Sequence, residues 1–412
     1  MPEGLSKNTT FGVKSLLVIF FAALTLFLRE FIVLEYSTFL GHDDTSLTST
    51  LYLGLIFLSS FLIVLLLRRK GYYYKLKLRS RFIIFCCIII FFSFFHAPFV
   101  KVGSRNIYLG LLCYITCFEA FYYLSYYKTL DRHLKHLLFI TFFILVFSYF
   151  STYVRLGLIS SKLLPWSNRF PSLKSSYILL FLFPLMSFFS ERKFQVIIAI
   201  ITITVIIYSN KRGGAIVGAG GFIIYFYLAY WKYDNINNKS PFRRIFLFCL
   251  LFAILYFVIV QLLKSSDNIM LDRLSSMQDD EGSGRLEIWA EVIEKLKHVS
   301  LFGFIFGHGL DSVKSITSNH SSAHNEYLEL FYDLGIVAFI SFLSLIISMV
   351  RSAIYYIKNK KLISPSFSTL IFIFIAMSFV SHTVIYPTMM IVFSLSIGYF
   401  IGFANRPASN IY

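Results

Sequence analysis

Charged residues are scarce in this chain. They make up 14% of its 412 residues, whereas hydrophobic residues make up 57% and aromatic residues 19%. Average soluble domains are about 25% charged and about 45–50% apolar, so the composition excludes an ordinary soluble globular protein and predicts an integral membrane protein. The five cysteines all lie inside apolar runs, a placement that favours neither a disulfide framework nor a thiolate metal site.

Long hydrophilic segments are almost absent as well. A membrane-spanning helix needs about 20 mostly apolar residues. Apolar runs that could form such helices lie at about 11–33, 49–67, 82–100, 106–127, 136–154, 175–190, 194–209, 213–231, 245–263, 331–350, 365–385 and 387–405. No small-residue cleavage site follows the first run, which predicts an uncleaved span. With no internal repeat and no separate soluble domain, we expect residues 1–412 to form one polytopic, all-α bundle of about twelve transmembrane helices.

The formal net charge of +17 does not indicate a nucleic-acid partner once its distribution is considered. If the N-terminus is cytoplasmic, five loops are predicted on the cytoplasmic side, and together they hold 20 basic and three acidic residues. These loops are 68–81, 128–135, 191–193, 232–244 and 351–361. The loop at 34–48, predicted on the other side, has three acids and no Lys or Arg. Because Lys and Arg collect in cytoplasmic loops, the charge predicts that both termini are cytoplasmic.

One long hydrophilic stretch, residues 264–330, lies between predicted spans nine and ten on the non-cytoplasmic side. Loops this long are usually functional. From Arg285 onward apolar residues recur every three to four positions, and this period predicts an amphipathic helix that rests on the bundle or the membrane surface. The predicted apolar face consists of Leu286, Trp289, Val292 or Ile293, Leu296 and Val299. Arg285 would begin the helix, where free backbone N–H groups favour an anion.

The end of this loop leads into span ten. Gly307-His308-Gly309 predicts a close approach of backbone, and we expect Ser321 or Ser322 to cap the following helix. A helix from that cap would place several residues on one face and hold His324 rigidly at the membrane boundary. The shared face would consist of His324, Tyr327, Leu328 and Phe331.

Cations on the same side suggest the chemistry. The turn Ser209-Asn210-Lys211-Arg212-Gly213 places two of them between two apolar runs. Arginine holds phosphate oxygens in a bidentate manner, and histidine can accept a hydroxyl proton near neutral pH. His324 with nearby arginines, and without a dense carboxylate cluster, therefore suits group transfer at a phosphate ester. A histidine in a loop is also a common polar surface residue, and the residue pattern leaves both interpretations open.

The segment around His324 resembles bacterial O-antigen polymerases and O-antigen ligases. His324-Asn325, nine further residues and Gly335 are similar to the family pattern His-[Asn/Ser/Gln]-x9-Gly-x-x-[Gly/Thr/Tyr]. Ala338 departs from the last position of that pattern, although it is also small.

Three further elements resemble the same family. Gly284-Arg285 followed by Trp289 is similar to its Gly-Arg-x-x-x-Trp element. The turn at 209–213 is similar to its Ser-x-[Ser/Thr]-Arg-[Gly/Ala] turn, with Lys211 in place of the hydroxyl residue. Gly307-His308-Gly309 is similar to the Gly-x-Gly between them. Together the elements cover residues 205–340 in the family's order.

The resemblance implies a metal-independent, inverting glycosyltransferase of the GT-C type, without a cofactor, in the bacterial inner membrane. Its donor would be a glycan on undecaprenyl pyrophosphate, used at the periplasmic face. By position, Arg212 and Arg285 would bind the pyrophosphate, and His324 would activate the acceptor hydroxyl or orient the donor. Secondary candidates for substrate binding are Lys211, Trp289, His308, His320, Asn325 and Tyr327.

The acceptor decides between two activities of this family. A polymerase transfers the growing chain to a lipid-linked repeat unit and can have a chain-length regulator protein as partner, whereas a ligase transfers the chain to lipid A-core. The stretch from Ala323 to Gly335 looks more like polymerases, because the nearest preceding histidine, His320, is four residues upstream. We therefore expect a polymerase, with a ligase as the alternative, including a related ligase that acts on other glycans or proteins.

Two interpretations from outside the family remain. A metal-dependent glycosyltransferase could use the acidic runs His42-Asp43-Asp44 or Asp279-Asp280-Glu281, although short acidic runs are usually solvated. A lipid-linked-sugar flippase could use a charge deep in the membrane, such as Glu119, although the long outer loop argues against transport.

Overall fold

A computed structural model describes residues 6–39, 47–68, 77–96, 105–163, 176–209, 211–232, 285–318 and 321–406. These residues form fourteen α-helices and no β-strand, which confirms the predicted all-α fold. The helices are α1 (Lys7–Phe39), α2 (Leu47–Arg68), α3 (Lys77–His96), α4 (Arg105–Leu124), α5 (Lys128–Leu163), α6 (Ser176–Phe189), α7 (Arg192–Tyr208), α8 (Arg212–Phe226), α9 (Arg285–Lys297), α10 (Leu301–Phe306), α11 (Val313–Ile316), α12 (Glu326–Lys358), α13 (Ser364–Val380) and α14 (Pro387–Ala404). A π-helical turn, Tyr227–Lys232, continues α8.

Eight of these helices are long and apolar enough to cross a membrane, as expected of a polytopic membrane protein. They are α1 to α5, α8 with its π-helical turn, α12 and α14. Eleven of the twelve predicted apolar runs coincide with helices, while the ninth, 245–263, lies outside the described residues. With 14 residues, α6 rises only about 21 Å, less than the hydrocarbon thickness of about 30 Å. Nearly all of its residues are buried, so α6 is an inner helix of the bundle.

The core of the bundle surrounds α14. Every residue of this helix from Thr388 to Gly402 is buried, as expected of a helix that is apolar on all sides. It packs against α4 and α6, and Phe393 stacks on Phe374 of α13 with ring centroids 4.0 Å apart. Aromatic stacking of this kind adds to the van der Waals contacts that hold helices together in lipid.

Two ion pairs fix one end of the bundle, which we call the opposite end. Arg406, just after α14, forms a bidentate pair with Asp131 in the first turn of α5, at 2.7 and 2.8 Å. Tyr399 donates its hydroxyl to the same carboxylate. Arg79 forms a second bidentate pair with Glu119, at 2.6 and 2.9 Å. Glu119, the deep charge that could have suggested transport, is therefore paired. Arg406 and Asp131 lie in segments predicted to share the cytoplasmic side.

The other end, which we call the site end, is where α8, α12 and α14 begin. Here α9, α11 and the start of α12 enclose a second small core around Ile288, Val292 and Tyr332. The amphipathic helix predicted from Arg285 is confirmed as α9. One part of the predicted apolar face is wrong, since Leu286 is exposed. The buried face centres on Ile288 and Val292. Leu286 precedes Ile288 by two positions, and residues two positions apart on an α-helix point about 200° apart around its axis. Leu286 therefore points outward.

Candidate active site

His324 lies immediately before the helix that was expected to contain it. Asn325 is the N-cap of α12, and its side-chain oxygen accepts hydrogen bonds from the backbone N–H groups of Tyr327 and Leu328. The expected cap at Ser321 or Ser322 is therefore wrong, because the chain stays non-helical through Asn325. His324 has a φ of 50°, in the left-handed region, so it turns the chain before the cap instead of sharing the helical face of Tyr327.

A hydrogen bond joins α9 to the residue before His324. The indole N–H of Trp289 donates to the carbonyl oxygen of Ala323 at 2.8 Å. Arg285 begins α9 and is half-buried. Because residues four apart lie on one face of a helix, Arg285 occupies the face of α9 that carries Trp289. The structure thus brings the helix of Arg285 to the segment of His324.

Two glycines explain the glycine spacing of the sequence motifs. Gly335 interrupts α12 at φ 77°, and Gly307 follows α10 at φ 79°. A Cβ on Gly335 would lie 2.3 Å from the carbonyl oxygen of Ile305, and one on Gly307 would lie 2.2 Å from that of Asp333. Only glycine has both this backbone freedom and this small volume. The two glycines therefore let α10 and the kinked α12 touch backbone to backbone.

Asp333 organises the loop between α10 and α11. Its carbonyl oxygen accepts hydrogen bonds from the N–H groups of His308 and Gly309, at 2.9 and 2.7 Å. Its carboxylate accepts two more, from Asp311 at 2.7 Å and from Val313 at 3.2 Å. The His308 ring stacks on Tyr332 with centroids 4.4 Å apart, and its Nδ1 lies 3.1 Å from the Tyr332 carbonyl oxygen. In the structure, then, His308 supports this loop.

A surface hydrogen bond holds α9 to the segment that follows α11. Glu291 accepts from the hydroxyl of Ser318 at 2.7 Å and from its backbone N–H at 3.0 Å. These hydrogen bonds, the hydroxyl first, lower the pKa of the Glu291 carboxyl because they stabilise its charged form.

The sequence interpretation missed a cluster of buried carboxylates. Glu326, Glu329 and Asp333 are all buried in the first two turns of α12, so the expectation that His324 has no dense carboxylate cluster nearby is wrong. Their spacing of three and four residues places them on one helical face. That spacing could have predicted the cluster from the sequence, although acids near a helix start are also common because the helix dipole favours them.

The sequence interpretation also missed His382, in the loop between α13 and α14. Its Nε2 lies 2.9 Å from the hydroxyl oxygen of Ser322, and its Nδ1 forms an ion pair with Glu329. The His382 and His324 rings lie 4.9 Å apart between centroids. Nothing in the local sequence marks His382, because its partners are more than 50 residues away along the chain.

The start of α8, with Arg212, lies beside the same loop. Gly213 packs on Val380, the last residue of α13, so closely that a Cβ there would lie 3.2 Å from the valine Cγ2. Since His382 follows Val380 by two residues, the backbone at Arg212 reaches the loop that carries His382. Lys211 precedes α8 as its half-buried N-cap.

The remaining predicted site residues are either packed in the bundle or outside the described residues. Tyr327 stacks on Phe379 with centroids 4.2 Å apart, which places its ring in apolar packing. The side chain of Arg212, and all of His320, lie outside what the structure describes. The acidic runs at 42–44 and 279–281 also lie outside it.

Comparison with known proteins supports the motif interpretation. Residues 197–343 match a family model described as O-antigen ligase. No curated protein matches the chain. The matched segment contains Arg212, Arg285, His324 and Gly335 but ends before His382. This match confirms, over the segment that carries the motifs, the predicted resemblance to the O-antigen polymerase and ligase superfamily of membrane glycosyltransferases, and both a polymerase and a ligase are consistent with it.

Proposed function

We propose that this protein is an O-antigen polymerase. It would be an inverting, metal-independent glycosyltransferase of the GT-C type that transfers the nascent glycan from undecaprenyl pyrophosphate to a lipid-linked repeat unit. In this proposal the protein lies in the bacterial inner membrane, with the site end at the periplasm and both termini in the cytoplasm. The charge distribution supports this orientation.

The observation that carries the proposal is the hydrogen bond between Trp289 and Ala323. It joins α9, which begins with Arg285, to the segment that ends in His324. Sequence similarity alone shows only that Arg285 and His324 belong to motifs of one family. The hydrogen bond shows in addition that α9 and the segment of His324 are neighbours in the fold. The start of α8, with Arg212, reaches the neighbouring loop. The helices α8, α9 and α12 thus all begin at the site end, and helix N-termini favour anions.

The transfer itself forms one bond and breaks another. The acceptor hydroxyl oxygen attacks the anomeric carbon while the bond from that carbon to the pyrophosphate oxygen breaks, and the electron pair leaves with the pyrophosphate. Arg212 and Arg285 would bind the leaving group and stabilise its developing charge. His324 would either accept the acceptor proton or orient the substrate. Lys211 and His320 would add contacts to the substrate, whereas Trp289, His308, Asn325 and Tyr327 would hold these groups in place.

A ligase is the second candidate, because the matched family model is described as O-antigen ligase. It would use the same donor and the same arginines, with lipid A-core as acceptor. The experiment below separates the two by the lipopolysaccharide that accumulates.

The test replaces Arg212, Arg285 or His324 with alanine in the native host, with each protein's membrane level checked by immunoblot. For a polymerase, we expect the lipopolysaccharide ladder to collapse to core that carries a single repeat. Core without any repeat, together with accumulated lipid-linked polymer, would indicate a ligase instead. EDTA should leave transfer in isolated membranes intact.

Matched controls come from exposed residues of the same chain. Lys295→Ala removes an exposed cation from α9, and His298→Ala removes an exposed histidine from its end. Both should leave the ladder unchanged. A normal ladder in all three site variants would refute the proposed roles.

A further inference from the structure

Glu329, His382 and Ser322 form a connected chain of side chains that the proposed function does not use. We propose that these three residues, here called the relay, carry the acceptor proton during transfer. Ser322 would contact the acceptor hydroxyl, and His382, stabilised by Glu329, would hold the proton. This inference rests on the proposed function and deepens it, since it assigns the base that the motif residues left open.

The geometry of the relay is that of an acid, an imidazole and a hydroxyl in series. His382 Nε2 lies 2.9 Å from Ser322 Oγ, within the range at which a base takes a proton from a hydroxyl. On the other side of the ring, Nδ1 pairs with Glu329. A carboxylate at this nitrogen fixes the tautomer and the ring orientation and stabilises the imidazolium that forms, as in hydrolytic triads.

Burial explains why the relay needs three members. His382 and Glu329 are only 4% and 2% exposed, so an acceptor sugar cannot reach the imidazole itself. Ser322 is half-buried and lies at the outer end of the chain of contacts. A substrate hydroxyl can therefore communicate with His382 through Ser322.

The buried carboxylates of α12 favour a positive charge on His382. Glu326 accepts a hydrogen bond from the backbone N–H of Thr383 at 2.7 Å and so holds the loop of His382 against the helix. Oε1 of Glu326, Oε1 of Glu329 and Nδ1 of His382 are buried without a hydrogen-bond partner among the described residues, and the contact between Nδ1 and Glu329 is an ion pair. Buried carboxylate oxygens in that condition call for a compensating positive charge, and protonation of His382 would supply one beside Glu329.

The proton balance of the step is complete. As the acceptor oxygen bonds to the anomeric carbon, its proton passes to Ser322 Oγ, and the proton of Ser322 passes to His382 Nε2. The bond to the pyrophosphate breaks in the same step, and its electron pair leaves with the pyrophosphate. His382 then carries a positive charge beside Glu329 until the proton is released through Ser322 after the product leaves. Ser322 is the catalytic residue of the relay, whereas His382 and Glu329 act through it and are positioning residues.

In this scheme His324 orients the substrate and does not take the acceptor proton. Its ring lies 4.9 Å from that of His382 between centroids, beside the outer end of the relay, where it can orient the substrate. The charged and titratable groups that face His382 or its carboxylate partner come from α11, α12, its own loop and the segment before α12. They are His324, Glu326, Glu329, Asp333, Tyr386 and Lys314.

The experiment measures transfer by the purified full-length protein in liposomes. The probe is the undecaprenyl-pyrophosphate-linked repeat unit extracted from a host strain that lacks this protein, offered with and without lipid A-core. We expect Ser322→Ala to lower kcat by about 100-fold or more while KM for the donor stays unchanged. Ser322→Thr keeps a hydroxyl and should restore most of the rate. Ser341→Ala, which removes a hydroxyl bonded only within α12, is the matched control.

The pH dependence separates the relay from a structural role. In the wild type the rate should rise with pH as the base loses its proton. His382→Gln should abolish this rise, Glu329→Gln should move it to lower pH, and His324→Gln should lower the rate but keep the rise. If the rise disappears in His324→Gln and persists in His382→Gln, the relay is wrong and His324 is the base. Full activity of Ser322→Ala would also overturn it. If the wild type transfers no glycan to either acceptor, the proposed function fails instead.

Discussion

The indole nitrogen of Trp289 lies 2.8 Å from the carbonyl oxygen of Ala323, and this hydrogen bond connects the helix of Arg285 to the segment that ends in His324. Trp289 belongs to α9, whereas Ala323 directly precedes His324. Both residues are part of the small core at the site end, which is separate from the core of the bundle. The position of Arg285 relative to His324 thus depends on a few contacts.

Trp289→Phe should uncouple α9 from this segment. The variant keeps an aromatic ring but removes one hydrogen bond, which is worth about 1 kcal/mol, and we expect transfer in liposomes to fall about ten- to a hundredfold because the reacting groups lose alignment. Leu286→Ala changes an exposed residue of the same helix and should have wild-type activity. Equal activity of the two variants would show that the contact has no role in alignment.

Gly335→Ala should destabilise the site end severely. The added Cβ meets the carbonyl of Ile305 at a backbone conformation suited to glycine, and we expect a loss of at least about 2–3 kcal/mol. The control is Gly54→Ala on α2, where no atom lies within 4 Å of the new Cβ. SDS-induced unfolding in detergent micelles measures both. Wild-type stability of Gly335→Ala would contradict the kink in α12.

Asp333→Asn should loosen the loop between α10 and α11. The carboxylate accepts two backbone N–H groups with different oxygens, and asparagine offers only one acceptor oxygen, so we expect a cost of about 1–3 kcal/mol. Asp311→Asn removes an exposed ion pair with Lys314 instead and should cost about 0–1 kcal/mol. Hydrogen exchange of residues 307–313 should rise in the first variant and stay unchanged in the second.

Glu119→Leu tests whether the paired acid at the opposite end serves structure. Loss of one partner leaves Arg79 without its carboxylate in a largely buried site, so the single variant should unfold at lower SDS than the double variant Arg79→Met, Glu119→Leu. The double variant should also keep its transfer activity. Loss of function in a well-folded double variant would revive a transport role for Glu119.

Acid should weaken the contact between α9 and Ser318. Since hydrogen bonds lower the pKa of Glu291 in the folded protein, their stabilisation is present above the usual pKa of a glutamate and is lost as the pH falls through the lowered value. Ser318→Ala should therefore exchange faster than the wild type over residues 313–318 at neutral pH, and the two should match at strongly acidic pH. A difference that persists in acid would assign the protection to another contact.

Most of the fold could be predicted from the lengths of the apolar runs, because a membrane-spanning helix is recognisable from one continuous stretch of sequence. The run at 175–190 indicated a helix, as found in α6, but not that this helix is too short to cross alone and is enclosed by its neighbours. That property depends on which helices surround it. The kink at Gly335 was likewise hidden inside a continuous apolar pattern, because the motif marks the glycine but not the backbone that approaches it.

The parts of the site that could be predicted are those marked by a local sequence pattern. Arg285 was expected at a helix start and begins α9, as the amphipathic period indicated. The cap was misassigned because serine and asparagine are both good N-caps, and only the turn at His324 decides between them. His382 could not be predicted, since its significance comes from contacts with Ser322 and Glu329 across a long stretch of chain.

The bidentate pair between Arg406 and Asp131 has a practical consequence for anyone who expresses this protein. Arg406 has a structural role, because its guanidinium holds the end of α14 to the start of α5. A reporter or affinity tag joined at residue 405 or earlier would remove that clasp and loosen the central helix. A tag joined beyond Arg406 would leave it intact, so the choice of fusion point decides whether low activity results from the catalytic residues or from loss of this ion pair.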